Sequence, residues 1–169
     1  SWPFTRLIAH IVETHHAWLR RELPRLHAMA ERVAKVHGEK DSRLEDLART
    51  FYAMEAELTS HMGKEEMVLF PMVEKLEAGA LPVEQAAFLR DPIACMESEH
   101  DSAGEALARM RALTDDFTPP AEACNTWRAL LDGLSELEAD LHQHIHKENN
   151  ILFPAVLEQA EIVAGQATA

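Results

Sequence analysis

Cysteine is scarce in this sequence: Cys95 and Cys124 are the two in 169 residues. No disulfide framework is therefore implied, and a reducing cytoplasm is the expected compartment. Glycine and proline are also few, six and eight, and they sit almost entirely at segment boundaries. Almost nothing reads as a strand. Basic residues are outnumbered, 16 Lys+Arg against 29 Asp+Glu, for a net charge of −13 with histidine counted neutral. That balance argues against a nucleic-acid or anionic-membrane surface, both of which need clustered cations. No apolar run approaches the ~18 residues that a membrane span requires, and the N-terminal Ser-Trp-Pro-Phe-Thr-Arg has no secretory apolar region. The residue in excess is histidine, with ten.

Length and a 47 % hydrophobic content suit one domain, residues 1–169, with a sizeable core. Apolar residues recur at intervals of three and four along four long segments. These predict helices at about 5–37, 43–77, 93–113 and 121–150, with a short C-terminal helix after 154. The first carries Ile8, Val12, His16, Leu19, Leu23 and Leu26, is kinked at Pro24 and is stopped by Gly38. The second opens with Ser42 three residues before Glu45, a capping-box pattern. The fourth is expected to end near Pro154. A short extra helix is expected at 83–89. The resulting fold class is all-α, an up-down-up-down four-helix bundle.

On each long helix a histidine occupies a position that the apolar stripe reserves for the core: His16, His61, His100 and His144. Glu65 follows His61 by four residues and Glu148 follows His144 by four, a spacing that puts both side chains on one face with Cβ atoms ~5–6 Å apart. Burying such groups without partners would cost several kcal/mol each, so a metal is the expected partner. An internal repeat strengthens this reading. HMGKEEMVLFP at 61–71 and HIHKENNILFP at 144–154 agree at His61/His144, Lys64/Lys147, Glu65/Glu148, Leu69/Leu152, Phe70/Phe153 and Pro71/Pro154. His16 and His100 precede the two copies by nearly the same interval, so the chain is two similar helical hairpins facing one centre.

Four histidines and two carboxylates exceed one tetrahedral zinc site. They suit two metals ~3.5–4 Å apart, each with two histidines and both glutamates shared. One bridging oxide or hydroxide would bring each metal to about five ligands, leaving an open position. Imidazole plus carboxylate favours iron, with manganese or zinc as possible occupants. This combination resembles the hemerythrin-like, HHE cation-binding domains, from Leu7 to Pro154. HMGKEEMVLFP, CMESEHDSAGE, TPPAEACNTW and HIHKENNILFP look closest to the repair-of-iron-centres branch. The resemblance implies two irons, oxo- or hydroxo-bridged, ligated by His16, His61, Glu65, His100, His144 and Glu148, with Glu65 and Glu148 bridging. It further implies repair of iron-sulfur clusters damaged by nitrosative or oxidative stress, through iron donation or reaction with NO. Damaged iron-sulfur proteins, NO, O₂ and peroxide are the implied partners. The alternatives are an O₂ or NO carrier or sensor, and a di-iron peroxide or NO reductase.

Three departures shape that expectation. Oxygen-carrying hemerythrins have a fifth histidine four residues after the third helix's histidine, where this chain has Gly104. They bridge with an aspartate five residues after the last histidine, where Glu148 follows His144 by four. Repair proteins typically carry a further N-terminal domain with a cysteine pair, which this sequence does not include. Gly104 is read as an open position beside the metal of His100, since a glycine inside a helix costs ~1 kcal/mol against alanine. Glu57, Glu97 and Glu99 are candidates to orient ligand imidazoles or line an exit path for iron. His37 lies ~30 Å along the first helix from His16 and is set aside as a ligand. His10, His15 and His27 are expected to be solvated, and His142 and His146 to point away from His144. Lys64 and Lys147 are expected in surface salt bridges, and Cys95 and Cys124 as buried fillers.

Overall fold

The computed structural model describes residues 1–166, and every regular element among them is helical. Helix α1 (residues 4–37) joins α-helical Phe4–His10 and Ala17–His37 through a π-helical turn at Ile11–His16. Helix α2 (residues 43–77) joins Arg43–Lys64 and Phe70–Glu77 through a π turn at Glu65–Leu69. A short α3 (Val83–Ala87) leads into α4 (Arg90–Leu113), which is α-helical throughout. Helix α5 (residues 125–166) joins Asn125–His146 and Phe153–Gln166 through a π turn at Lys147–Leu152.

Side-chain ladders set the directions of these helices. Along α1 and α2 the contacts His16–Glu66 and His27–Glu55 run in opposite senses. Lys64–Glu99 and Thr50–Arg109 do the same for α2 and α4, as do Arg90–Glu161 and Arg111–Glu138 for α4 and α5. The result is an up-down-up-down four-helix bundle. Its first helix is capped from a distance: Glu77 at the end of α2 accepts the backbone N–H groups of Phe4 and Thr5 and the Thr5 hydroxyl.

Several helix ends differ from the sequence expectation. Helix α5 does not stop near Pro154; proline lacks the N–H that would bond the carbonyl four residues back, and the helix widens into its π turn just before Pro154 and then continues to Gln166. The C-terminal helix expected after 154 is thus Phe153–Gln166, joined to the rest of α5 through the π turn. Helix α4 starts at Arg90 rather than 93, and α5 at Asn125 rather than 121. Ser42 makes no capping hydrogen bond; Asp41 accepts the Arg43 N–H instead, at 3.1 Å. Gly38 ends α1 at a right-handed φ of −62°, so its freedom to turn left is unused. Left-handed backbone appears at Asp115, Asp116 and Phe117 (φ 49°, 59° and 60°), between α4 and α5.

Two apolar clusters fill the bundle. The larger spans Leu19–Val33 of α1, Leu44–Met62 of α2, Ala103–Met110 of α4 and Trp127–Leu141 of α5. The other contains Leu7, Ile8, Ile11, Leu69–Leu76, Leu89–Met96 and Leu152–Ala160. On every long helix the histidine of the buried stripe falls at the boundary between them, so a polar layer crosses the bundle where the two apolar cores meet.

Candidate metal centre

The layer is made of His16, His61, Glu65, His100, His144 and Glu148, at most 4 % exposed each. The π turns control which side chains reach it. Each turn widens the helix locally, so adjacent residues share the inward face. In α1 this buries both His15 and His16. In α2 it turns Glu65 and Glu66 inward together, and in α5 Glu148 and Asn149.

Glu148 spans the layer. Its Oε1 lies 2.7 Å from His144 Nε2 and 3.9 Å from His16 Nε2. Its Oε2 lies 2.9 Å from His100 Nε2 and 4.0 Å from His61 Nε2. Glu65 Oε1 approaches His61 Nε2 at 3.0 Å and His16 Nε2 at 3.4 Å. The histidines pair across the hairpins: His16 and His144 have Nε2 atoms 3.2 Å apart, and His61 and His100 3.1 Å. Two groups able to hold a cation result, His16–Glu65–His144–Glu148 and His61–Glu65–His100–Glu148, each with ligand atoms within 4.8 Å of one another. Both carboxylates belong to both groups.

The chemistry of this donor set fits a pair of cations. Two fully buried carboxylates lie in an apolar bundle, and beyond the imidazoles of the layer neither oxygen of Glu65 nor Oε2 of Glu148 has a hydrogen-bond partner. An unpaired buried carboxylate is costly. In the metal-free protein the charge is offset by protons on the histidines. Burial opposes a charged His16, but hydrogen bonds to Glu148 and Glu65 outweigh it and raise its pKa to about 9. His61 is also raised, against burial, by Glu65, Glu148 and Glu99. Glu148 is held well below the usual carboxylate range despite its burial, with the charge of His144 the largest opposing influence.

The outward ring nitrogens are held by neighbours. His16 Nδ1 donates to Glu66 at 3.2 Å, and Arg20 pairs with the same carboxylate. His61 Nδ1 donates to Glu99 at 2.9 Å, which also receives Lys64. His100 Nδ1 donates to Asn149 Oδ1 at 2.7 Å. A proton on each Nδ1 leaves the Nε2 lone pair facing the layer. Stacking sets the ring planes: His16 lies on Phe70 (5.9 Å, 16°) and His100 on Phe153 (6.2 Å, 7°). The repeated Phe70 and Phe153 thus each steady the lone histidine of their own hairpin, as do Glu66 and Asn149, which also occupy equivalent repeat positions.

Of the acidic candidates, Glu99 therefore touches a candidate ligand. Glu57 is exposed and shares with Glu99, Ser60 and Ser102 a surface cleft of ≈ 390 Å³. Glu97 is half-buried and outside both groups. Glu66 and Asn149 escaped the sequence reading, although each follows a repeated glutamate directly.

Other expectations need correction. His15 is not solvated but 1 % exposed; its ring stacks on His144 (5.3 Å, 9°). Lys147 is not in a surface salt bridge: it donates to His15 Nε2 at 2.7 Å and His10 Nε2 at 2.8 Å. His27 stacks on Tyr52 and bonds Glu55. Cys95 and Cys124 are exposed rather than buried. His37 packs against Trp127 and Cys124 and lies outside both groups. Gly104 is exposed, and a Cβ there would meet nothing within 4 Å; it opens to solvent and does not hold space beside His100.

No helix among the described residues is long and apolar enough to cross a membrane. Over 155 residues, 92 % of this chain, the sequence is 46 % identical to the iron-sulfur cluster repair protein YtfE of Yersinia pseudotuberculosis serotype IB (strain PB1/+). It is equally similar to YtfE of Yersinia pestis (strain Pestoides F). The chain spans 66 % of the length of these relatives. Residues 7–156 match the hemerythrin HHE cation-binding domain. With a match across the whole bundle and a buried histidine–carboxylate layer suited to cations, the chain belongs to the hemerythrin HHE cation-binding family.

Proposed function

We propose that this chain holds two irons and serves in the repair of iron-sulfur clusters damaged by nitrosative or oxidative stress, by donating iron or reacting with NO. The observation that carries the reading is the pair of buried groups sharing both Glu65 and Glu148. His16 and His144 would hold one iron and His61 and His100 the other, with the two carboxylates bridging. A bound iron pair would supply redox chemistry and open coordination for NO, O₂ or peroxide. The repair function of the YtfE relatives supports donation over a carrier or a reductase.

The chain's own residues supply the rest. Glu66, Glu99 and Asn149 fix the imidazoles so that the Nε2 lone pairs converge. Iron loading displaces protons from His16 and His61, so uptake is favoured as the pH rises. The cleft at Glu57 and Glu99 presents carboxylates to water beside His61, a route suited to a cation. The test is to load the protein with iron, count the metal, and mix it with an iron-sulfur protein whose cluster NO has damaged. Two irons per chain and return of the cluster's visible absorbance are expected. Glu65→Ala should abolish binding of both irons together. Reversible O₂ binding with no transfer of iron would replace the repair reading with a carrier.

A further inference from the structure

The two lysines of the internal repeat meet different partners. Lys64 bonds Glu99, the residue before His100. Lys147 holds the equivalent place in the second copy, but the residue before His16 is His15. The Lys147 ammonium donates to His15 Nε2 at 2.7 Å and to His10 Nε2 at 2.8 Å, and among the described residues no carboxylate pairs with it. A ring that accepts a hydrogen bond is uncharged, so both partners are neutral. The His15 proton therefore sits on Nδ1 and is donated to Asp140 at 2.9 Å. Burial, and after it the charge of Lys147, lowers the His10 pKa and keeps that ring neutral. An ammonium has three N–H donors, and two are used here. Lys147 is thus a half-buried cation whose charge no direct contact offsets.

The space beside this ammonium is walled by apolar side chains. A cavity of ≈ 370 Å³ lies between the start of α1 and the π turn of α5, with Lys147 and His10 in its lining together with Trp2, Phe4, Leu7 and Ile151. That volume falls within the ~300–1,000 Å³ usual for small-molecule sites. Its walls are already fixed in place. Glu77 of α2 holds the backbone N–H groups of Phe4 and Thr5. The Trp2 ring meets His10 edge to face (5.5 Å, 80°) and carries the Arg6 guanidinium 4.0 Å from its centroid. Trp2 and Ile151 remain 45 % and 48 % exposed, so a ligand in the cavity would remove both from water. Two cations therefore border an apolar cavity on a chain whose net charge is −13.

We propose that this cavity binds a small organic anion, a carboxylate carried on a flat aromatic body. The carboxylate takes the third N–H of Lys147, and the ring lies against Trp2 and the apolar wall of Phe4, Leu7 and Ile151. Other ligand classes fit less well. A cation would be repelled by the ammonium, and an uncharged apolar molecule would cover that ammonium without compensating it. A phosphate dianion needs several donors where Lys147 offers one. The inference involves no metal and stands apart from the repair reading.

The test titrates 1-naphthoate into the full chain, as purified and again after metal removal, with binding followed by calorimetry. One saturable site with a Kd on the order of 0.1 mM is expected in both states. In the metal-free protein, NMR of the histidine rings should show shifts at His10 and His15 and none at His37. The neutral 1-naphthamide keeps the ring and loses the charge, and should bind at least about tenfold more weakly. Lys147→Met should weaken 1-naphthoate by about tenfold or more, and Trp2→Ala by about fivefold. Ile151→Glu changes an exposed side chain and should weaken binding about tenfold at low salt and less at high salt; it decides the matter if Lys147→Met fails to fold. No saturation below about 10 mM, equal binding of the amide, loss of binding on metal removal, or ring shifts confined to His37 would overturn the proposal.

Discussion

His16 is the residue at which the chemistry of the layer is most exposed to measurement. Its unfolded imidazole titrates near 6.5 and its folded one at about 9. A raised pKa contributes stability that is fully present below the unfolded value and is lost as the pH rises through the folded one. The metal-free protein should therefore weaken between pH 6.5 and about 9, by an amount on the order of 3 kcal/mol, read as a falling urea midpoint. A flat profile across that window would mean that the buried carboxylates are not balanced by protonated histidines. The metal-loaded protein should show the opposite trend in metal retention, because acid returns protons to the ligands. Residues outside the ligand set are testable in the same way. Glu66→Ala and Asn149→Ala each remove the acceptor for one Nδ1–H and should weaken metal binding by about 10- to 100-fold, measured by chelator competition. Unchanged affinity in both would leave ring stacking on Phe70 and Phe153 as sufficient orientation.

Helices add a layer of information that a regular repeat of 3.6 residues does not carry. The six stripe residues were legible because His16, His61, His100 and His144 each interrupt an apolar face, and because the two copies of the repeat align their glutamates. Projected on an ideal helix, however, His15 falls off the stripe, and so do Glu66 and Asn149. The π turns bring each of them round, and composition marks those turns only through Pro71 and Pro154 six residues after the glutamates. Lys147 was misplaced for a related reason, since its true neighbours, His10 and His15, lie on a different helix. Gly104 was misjudged because glycine in a helix was taken to reserve buried space, whereas the position is open to solvent. Gly104→Ala should then stabilise α4 by up to ~1 kcal/mol, raising the melting temperature with no change in metal release. Slower release in that variant would restore the view of Gly104 as a gate. The turn after α4 offers a second test of backbone cost. Asp116 holds a φ of 59° while its side chain makes only an exposed contact with Arg111, so Asp116→Gly should raise stability by about 1 kcal/mol.

Across the whole molecule the polar layer divides one bundle into two apolar cores, and the same four helices pass through both. The larger core is built from four helices with long leucine-rich faces. The other depends on the segments beyond the π turns and on α3, which packs against the end of α5. Without metal, the junction between them consists of buried carboxylates held by protonated imidazoles, an arrangement that contributes little net stability once desolvation is counted. With the metal pair proposed above, each shared carboxylate would tie α2 and α5 to the histidines of α1 and α4, and the junction would become a crosslink among all four helices. A ligand that binds only the folded layer stabilises every state in which that layer is intact and none in which it is open. The metal-free protein should therefore open sub-globally: amides around Leu69–Leu76 and Leu152–Ala160 should exchange hydrogen faster than those around Leu44–Leu58 and Leu130–Leu137. Metal loading should protect the first set most strongly and bring the two sets together. Equal protection of both sets in the metal-free protein would show that the layer transmits folding cooperativity without its cation, and would make the metal a passenger in the fold.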